Sequence, residues 1–293
     1  MRSTPIRVIC AALCLTVTAM AFAASKKDNG NGNGNGNGNS QDEGNGNGDG
    51  QGNACKDVPS FSAVQTALAA VVAGGIKANG GFGFNMWATV VNRDGVVCVV
   101  TFSGQDRGSQ WPGSRVISAQ KANTANAFSL PGFALSTANL YSAVQPGGSL
   151  FGLQESNPVD TGVAYGGNSS NYGQPNDPMV GGKIGGINVF GGGLALYNSQ
   201  GTLVGGLGVS GDTSCTDHII AWKVRHAVNF DDVPAGVGAA NTDNIIFDIT
   251  GTNPGTFVSA GGFGHPTCGA GAPSTAIATG LPTTFPVGPL QTP

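Results

Sequence analysis

Five glycines fall between Gly201 and Gly211, in GTLVGGLGVSG, and the segment TDHIIAWKVRHAV follows closely. Thr202–Val204, continuing through Leu207 and Val209, reads as a strand. Glycine weakens a strand unless a turn or a close backbone approach requires it. The stretch therefore demands a strand, a surface on which a helix can come unusually close, and a helix after it. Thr216 or Asp217 supplies that helix's N-cap, and Ile219, Ile220, Val224, Ala227 and Val228 give it an apolar face. Glycine is in excess throughout, at 50 of 293 residues with only 10% charged, which favours tight turns and argues against long helical bundles.

The remaining elements follow the same logic. Cys55–Lys77 reads as a first helix with Ser60 as N-cap; Phe61, Val64, Leu68, Val71 and Val72 recur at helical spacing and Gly74-Gly75 ends it. Phe84–Asn92 and Gly95–Ser103 are strands joined through an Asp94-Gly95 hairpin signal. Ser114–Phe128 is a helix of small residues suited to close packing on a sheet. Leu130–Gly181 is a long polar connection with a short helix over Ser136–Val144. Gly185–Tyr197 and Thr202–Ser210 form a second strand pair, and the last helix ends near Asn229. Helix, hairpin, helix, hairpin, helix is an α+β pattern, an antiparallel sheet with flanking helices. From Phe230 the pattern changes to an irregular Gly/Pro-rich extension, with one strand expected at Ile245–Ile249.

The first residues carry an export signal: Arg2 and Arg7, an apolar run over Val8–Ala21, and an Ala21-Phe22-Ala23 cleavage site. The division expected is a signal peptide over 1–23, a disordered Asn/Gly-rich spacer over 24–54, a folded domain over 55–229 and the extension over 230–293. The apolar run is too short to span a membrane comfortably. Neither Cys10 nor Cys14 follows lipobox residues, so a soluble periplasmic or secreted protein is expected, not a lipoprotein. Cleavage leaves Cys55, Cys98, Cys215 and Cys268. An even number in an oxidising compartment favours two disulfides, and Cys215–Cys268 with Cys55–Cys98 is the preferred pairing because the first would staple the tail to the central turn. No basic block is present and the net charge is −3, which argues against a nucleic-acid partner.

Chemistry-bearing residues are few. Gly206-x-Gly208-x-x-Gly211 matches a dinucleotide fingerprint in letters, but no βαβ series surrounds it. Its glycines give the helix room, or its backbone N–H groups cradle a carboxylate such as a propionate. His218, His226 and His265 are the histidines. A neutral imidazole ligates haem iron or another metal. His218, in the first helical turn, is the best single candidate, His226 lies two turns further along, and His265 is read as structural. Lys121 is a snorkelling surface lysine or a charge facing a propionate. Ser210 stands in G-V-S-G, not in the G-x-S-x-G of a nucleophile elbow, and no nucleophile constellation stands out.

Three motifs carry a family resemblance. Val90-Val91-Asn92-Arg93-Asp94-Gly95 is similar to V-V-D-x-x-G, and Ala119–Ala125 is similar to A-x-x-K-A-x-T-A. Gly201 with Gly205–Gly211 resembles G-x-x-x-G-x-x-G-V-S-G, and Asp217 falls where an acidic pair opens the last helix. Together they resemble the haem-binding and haem-degrading family of the GlcG proteins, HbpS and the PduO C-terminal domain. That resemblance implies a profilin-like or PAS-like sheet, haem or another tetrapyrrole as ligand, and a homo-oligomer. It implies a ligand site at Lys121, Gly206, Gly208, Gly211 and Asp217 with iron on His218 or His226. A non-catalytic binding role is expected, with haem degradation at the same pocket or a ligand-free interaction module as alternatives.

Overall fold

The computed structural model describes residues 54–251 and 258–288. The signal-peptide and spacer readings fall outside these residues, apart from Ala54. Ser60 accepts a hydrogen bond from the Ala63 N–H at 3.3 Å and starts α1 (Phe61–Ala73). Gly75, at φ +62°, then turns the chain into a short α2 (Gly75–Asn79). The first hairpin joins β1 (Trp87–Asn92) to β2 (Val97–Phe102). At its turn Asn92 Oδ1 accepts from the Asp94 and Val96 N–H groups, and Gly95 takes φ +77°. The strand begins at Trp87, not Phe84, because the N–H groups of Phe82 and Phe84 are held by the Asp212 carboxylate.

Next comes α3 (Ser114–Ala127). In the long connection, the expected helix over Ser136–Val144 is two 3₁₀ turns, Thr137–Leu140 and Ser142–Val144, the first entered through a Ser136/Asn139 capping box. Asp160 caps the short α4 (Thr161–Tyr165). The second hairpin pairs β3 (Gly193–Tyr197) with β4 (Leu203–Ser210). Residues 185–192 do not join β3, since their backbone bonds go elsewhere: Asn188 N–H to Thr124 Oγ1, Gly191 N–H to Ser214 Oγ, and Gly186 C=O to Asn123 Nδ2. Helix α5 (Ser214–Ala227) starts earlier than expected, with Thr213 as N-cap in place of Thr216 or Asp217.

The four strands form one antiparallel sheet in the order β2-β1-β4-β3. One face carries Ala88, Val90, Val99, Leu207 and Val209 against α1 and α5, and Trp222 is buried there. On the other face Trp87, Val91, Val97 and Val100 meet α3 through Val116, Ala119 and Ala122. The molecule is thus an α+β sandwich with helices on both sides of an antiparallel sheet. Gly206 and Gly208 of β4 are where α3 lies closest. A Cβ on Gly206 would collide with the Ala122 carbonyl, and one on Gly208 with the Ser118 carbonyl.

Beyond α5 the chain stays on the domain. Ile245, Ala278 and Leu281 enter the same core as α1 and α5. The strand expected over Ile245–Ile249 is reduced to β5 (Ile249–Thr250), paired with β6 (Val258–Ser259). Two short helices follow, α6 (Thr275–Thr279) and α7 (Leu281–Thr284). Disulfides join Cys55 to Cys98 and Cys215 to Cys268, the pairing preferred from the sequence. Among the described residues no helix is long and apolar enough to cross a membrane.

Candidate functional site

The sequence directs attention to the head of α5, and the structure fills that place with its own side chains. Lys121 is 2% exposed, and its Nζ lies 2.7 Å from Asp217 Oδ2 and 3.2 Å from the Val209 carbonyl. It is neither a snorkelling lysine nor a charge at a pocket edge. Asp217 Oδ1 accepts from the Gly211 and Asp212 N–H groups at 3.1 and 2.9 Å. Burial pushes the Asp217 carboxyl up to about 6, against the pull of Lys121. The backbone N–H groups that could have cradled an external carboxylate at Gly211 already hold an internal one. Gly206 and Gly208 are occupied by the approach of α3.

His218 is fully buried. Its Nε2 lies 3.1 Å from Asn244 Oδ1 and 3.2 Å from the Ile245 N–H, and its Nδ1 has no partner among the described residues. Burial pushes the imidazole down to about 4, so it is neutral at ordinary pH. It serves as a cross-link between α5 and the following chain, without access for a large ligand.

The foot of α5 is different. His226 is exposed, with its side chain 40% accessible, and its Nδ1 lies 2.6 Å from Asp231 Oδ2. Asn229, at φ +59°, reverses the chain after the helix and brings Asp231 back onto the imidazole. With Nδ1 committed to the carboxylate, Nε2 is left without a hydrogen-bond partner among the described residues. A carboxylate on one ring nitrogen fixes the tautomer and the ring orientation, the arrangement that prepares a histidine for a metal. The Phe285 ring stands edge-on to the imidazole, 5.4 Å between centroids.

Two clefts meet at His226. One is an apolar groove of about 320 Å³ between α1 and α5, walled by Ala67, Val71, Ala78, Ala227 and Phe285 with Lys223 at its side. The other, about 260 Å³, is of mixed lining and holds Asp231 and Asp232 beside Pro286. Lys223 Nζ donates to the Ala78 carbonyl and to Asn79 Oδ1, and burial lowers its pKa. No group of three or more His, Cys, Asp or Glu side chains able to hold a bare metal ion is present among the described residues. A single imidazole beside an apolar wall would suit a metal ion carried inside an organic ligand, with His226 as the protein's one donor. In the sequence His226 was visible, but its pairing with Asp231, the Phe285 ring and the groove were not.

The four-stranded antiparallel sheet, with its glycine-bared strand under α3 and an oriented histidine in the last turn of α5, defines an α+β domain with helices on both faces. The family model of the haem degrading protein HbpS-like family matches residues 60–225, more than half of the chain. The chain belongs to the HbpS-like family. Solved structures similar to it include Klebsiella pneumoniae protein ORFY of the DUF336 family, at 24% identity over 58% of this chain and 89% of that one, TM-score 0.38. The PduOC:heme complex is similar at 24% identity over 58% and 94%, TM-score 0.39. A double mutant of Streptomyces reticuli HbpS is similar at 18% identity over 57% and 84%, TM-score 0.35. No curated protein matches the chain.

Proposed function

We propose that this is an exported protein that binds haem or another metallated tetrapyrrole without turning it over, with the iron on His226. The observation that carries the reading is the pairing of His226 Nδ1 with Asp231 at the edge of the apolar groove, which leaves Nε2 open. Haem brings an iron that takes a neutral imidazole nitrogen. Ala67, Val71, Ala227 and Phe285 offer the apolar wall for one face of the macrocycle. The groove is at the small end of ligand sites, roughly 300–1,000 Å³. It covers part of a porphyrin and leaves the rest to solvent or to a second copy of the chain, which agrees with a homo-oligomer.

Titration of the mature, oxidised chain with haemin tests this. A saturable, red-shifted Soret band is expected, lost in His226→Ala, weakened roughly 10–100-fold in affinity in Asp231→Asn as for other partners of ligating histidines, and kept in His218→Ala. A band that survives His226→Ala removes the ligand assignment; no saturable band removes haem. The family's description favours one second reading, haem degradation. Adding ascorbate to the complex separates the two: a stable Soret band is the outcome for binding alone, and its decay with release of iron is the outcome for turnover.

A further inference from the structure

Far from His226, at the other end of α5, the fold assembles a serine and a histidine that lie 51 residues apart in the chain. Ser214 is the first residue of α5, on the strand–turn–helix corner that follows β4. Its Oγ lies 2.8 Å from His265 Nε2. On the far side of the same ring, His265 Nδ1 lies 2.7 Å from the Pro266 carbonyl oxygen. A carbonyl only accepts, so Nδ1 carries the proton and Nε2 is the acceptor. The serine hydroxyl must then donate to Nε2. Its oxygen is held from another direction by the Gly191 N–H at 2.7 Å. The order hydroxyl, imidazole, fixed acceptor is the arrangement that activates a serine.

Four further features suit an acyl acceptor. Ser214 is half-buried, while His265 is 2% exposed and so is shielded from competing water. The start of α5 carries the partial positive charge of a helix N-terminus, and the Ser214 N–H has no hydrogen-bond partner among the described residues, which favours negative charge developing on a substrate oxygen. The His265 ring packs on Tyr141 with centroids 5.0 Å apart, and Tyr141 in turn meets Phe190, which is 44% exposed. Those two rings offer an apolar surface beside the hydroxyl. The Cys215–Cys268 disulfide clamps the two segments next to the dyad.

We infer that Ser214 and His265 form a nucleophilic dyad, oriented by the Pro266 carbonyl, that accepts acyl groups from small esters with an apolar acyl chain. Ser214 Oγ bonds to the ester carbonyl carbon as its proton passes to His265 Nε2. The C–O bond to the leaving alcohol breaks, and the alcohol takes that proton. Water then adds to the acyl-serine, giving its proton to His265, and the carboxylic acid leaves as Ser214 Oγ is reprotonated. This site shares no residue with the groove at His226, so its test is independent of haem binding.

A fluorophosphonate probe applied to the full, disulfide-bonded chain reads the dyad directly, because attack by Oγ expels fluoride and leaves a stable phosphonyl-serine. One adduct per chain, mapped by mass spectrometry to Ser214, is expected. It should be absent in Ser214→Ala, which loses a single oxygen and keeps the fold, and slowed on the order of 100-fold or more in His265→Gln, the range of a lost general base. Hydrolysis of p-nitrophenyl butyrate should fall in parallel. Folded parent protein that labels no faster than Ser214→Ala overturns the proposal, since the hydrogen bond is then only a tether. So does labelling that a folded His265→Gln leaves unchanged.

Discussion

Lys121 and Asp217 illustrate how a residue's role depends on what covers it. Both are 2–4% exposed at the side chain and 2.7 Å apart. Breaking a buried pair strands the remaining charge, at a cost of roughly 3–5 kcal/mol. Lys121→Met should lower unfolding free energy by about that amount in urea titrations, and Lys121→Met with Asp217→Asn together by less than the sum of the two single changes. Additive losses would mean that the two side chains do not act as a pair. Both residues are conspicuous in the sequence, yet a separation of 96 residues hides the contact. Lys121 Nζ is spent on Asp217 and the Val209 carbonyl, so no external propionate is needed to explain a lysine on a helix of small residues. His226 shows the converse. Its aspartate is only five residues away, but the contact depends on the left-handed turn at Asn229, which no periodicity announces.

At the scale of elements, the glycines of β4 let α3 settle against the sheet. Gly208→Ala would drive a methyl into the Ser118 carbonyl and the Ala122 amide, both backbone groups of α3 that cannot rotate away. Overpacking of this kind typically destabilises by about 1–3 kcal/mol, and more where backbone must shift. Gly208→Ala should therefore lower stability by about 3 kcal/mol or more by chemical denaturation. Gly132→Ala, with open space around its Cβ, should change it by less than about 0.5 kcal/mol. Equal effects at the two sites would reject close approach as the reason for the glycines. The hairpins and the three longer helices were legible because strand alternation, turn residues and apolar spacing are local signals. The segments 82–84 and 185–192 were not, because their backbone bonds end on remote side chains: Asp212 in the first case, Thr124 and Ser214 in the second.

Over the whole molecule, buried arginine–aspartate pairs do the work that hydrophobic periodicity does not. Arg115 of α3 makes two bonds to Asp177 and lies 3.6 Å from the centre of the Tyr172 ring, which fastens the long 130–181 connection. Arg225 of α5 holds Asp243 at 2.7 and 2.8 Å and fastens the chain beyond the helix. The buried histidines His218 and His265 stand in the same seam between α5 and that later segment, and they make the seam acid-sensitive. Around His218 stand Asp243, Arg225 and His265, and around His265 stands Lys121. Burial holds each imidazole down to about 4, below the 6.5 of an unfolded chain, so the stability each contributes is present above 6.5 and lost as pH falls through 4. At 1.36 kcal/mol per pKa unit this is on the order of 3 kcal/mol for each. Asp217, flanked by Lys121 and Asp212, runs the other way. Raised to about 6 from 3.8, it regains a similar amount as pH falls through that interval. Two histidines outweigh one aspartate, so acidification from pH 7 to 4 should cost a net ~3 kcal/mol, read as a lower urea midpoint. His218→Gln removes one of the two contributions, and its loss over the same pH interval should be smaller than the parent's by about 3 kcal/mol, whatever its stability at neutral pH. If parent and variant weaken equally on acidification, His218 is not one of the groups that make the seam acid-sensitive.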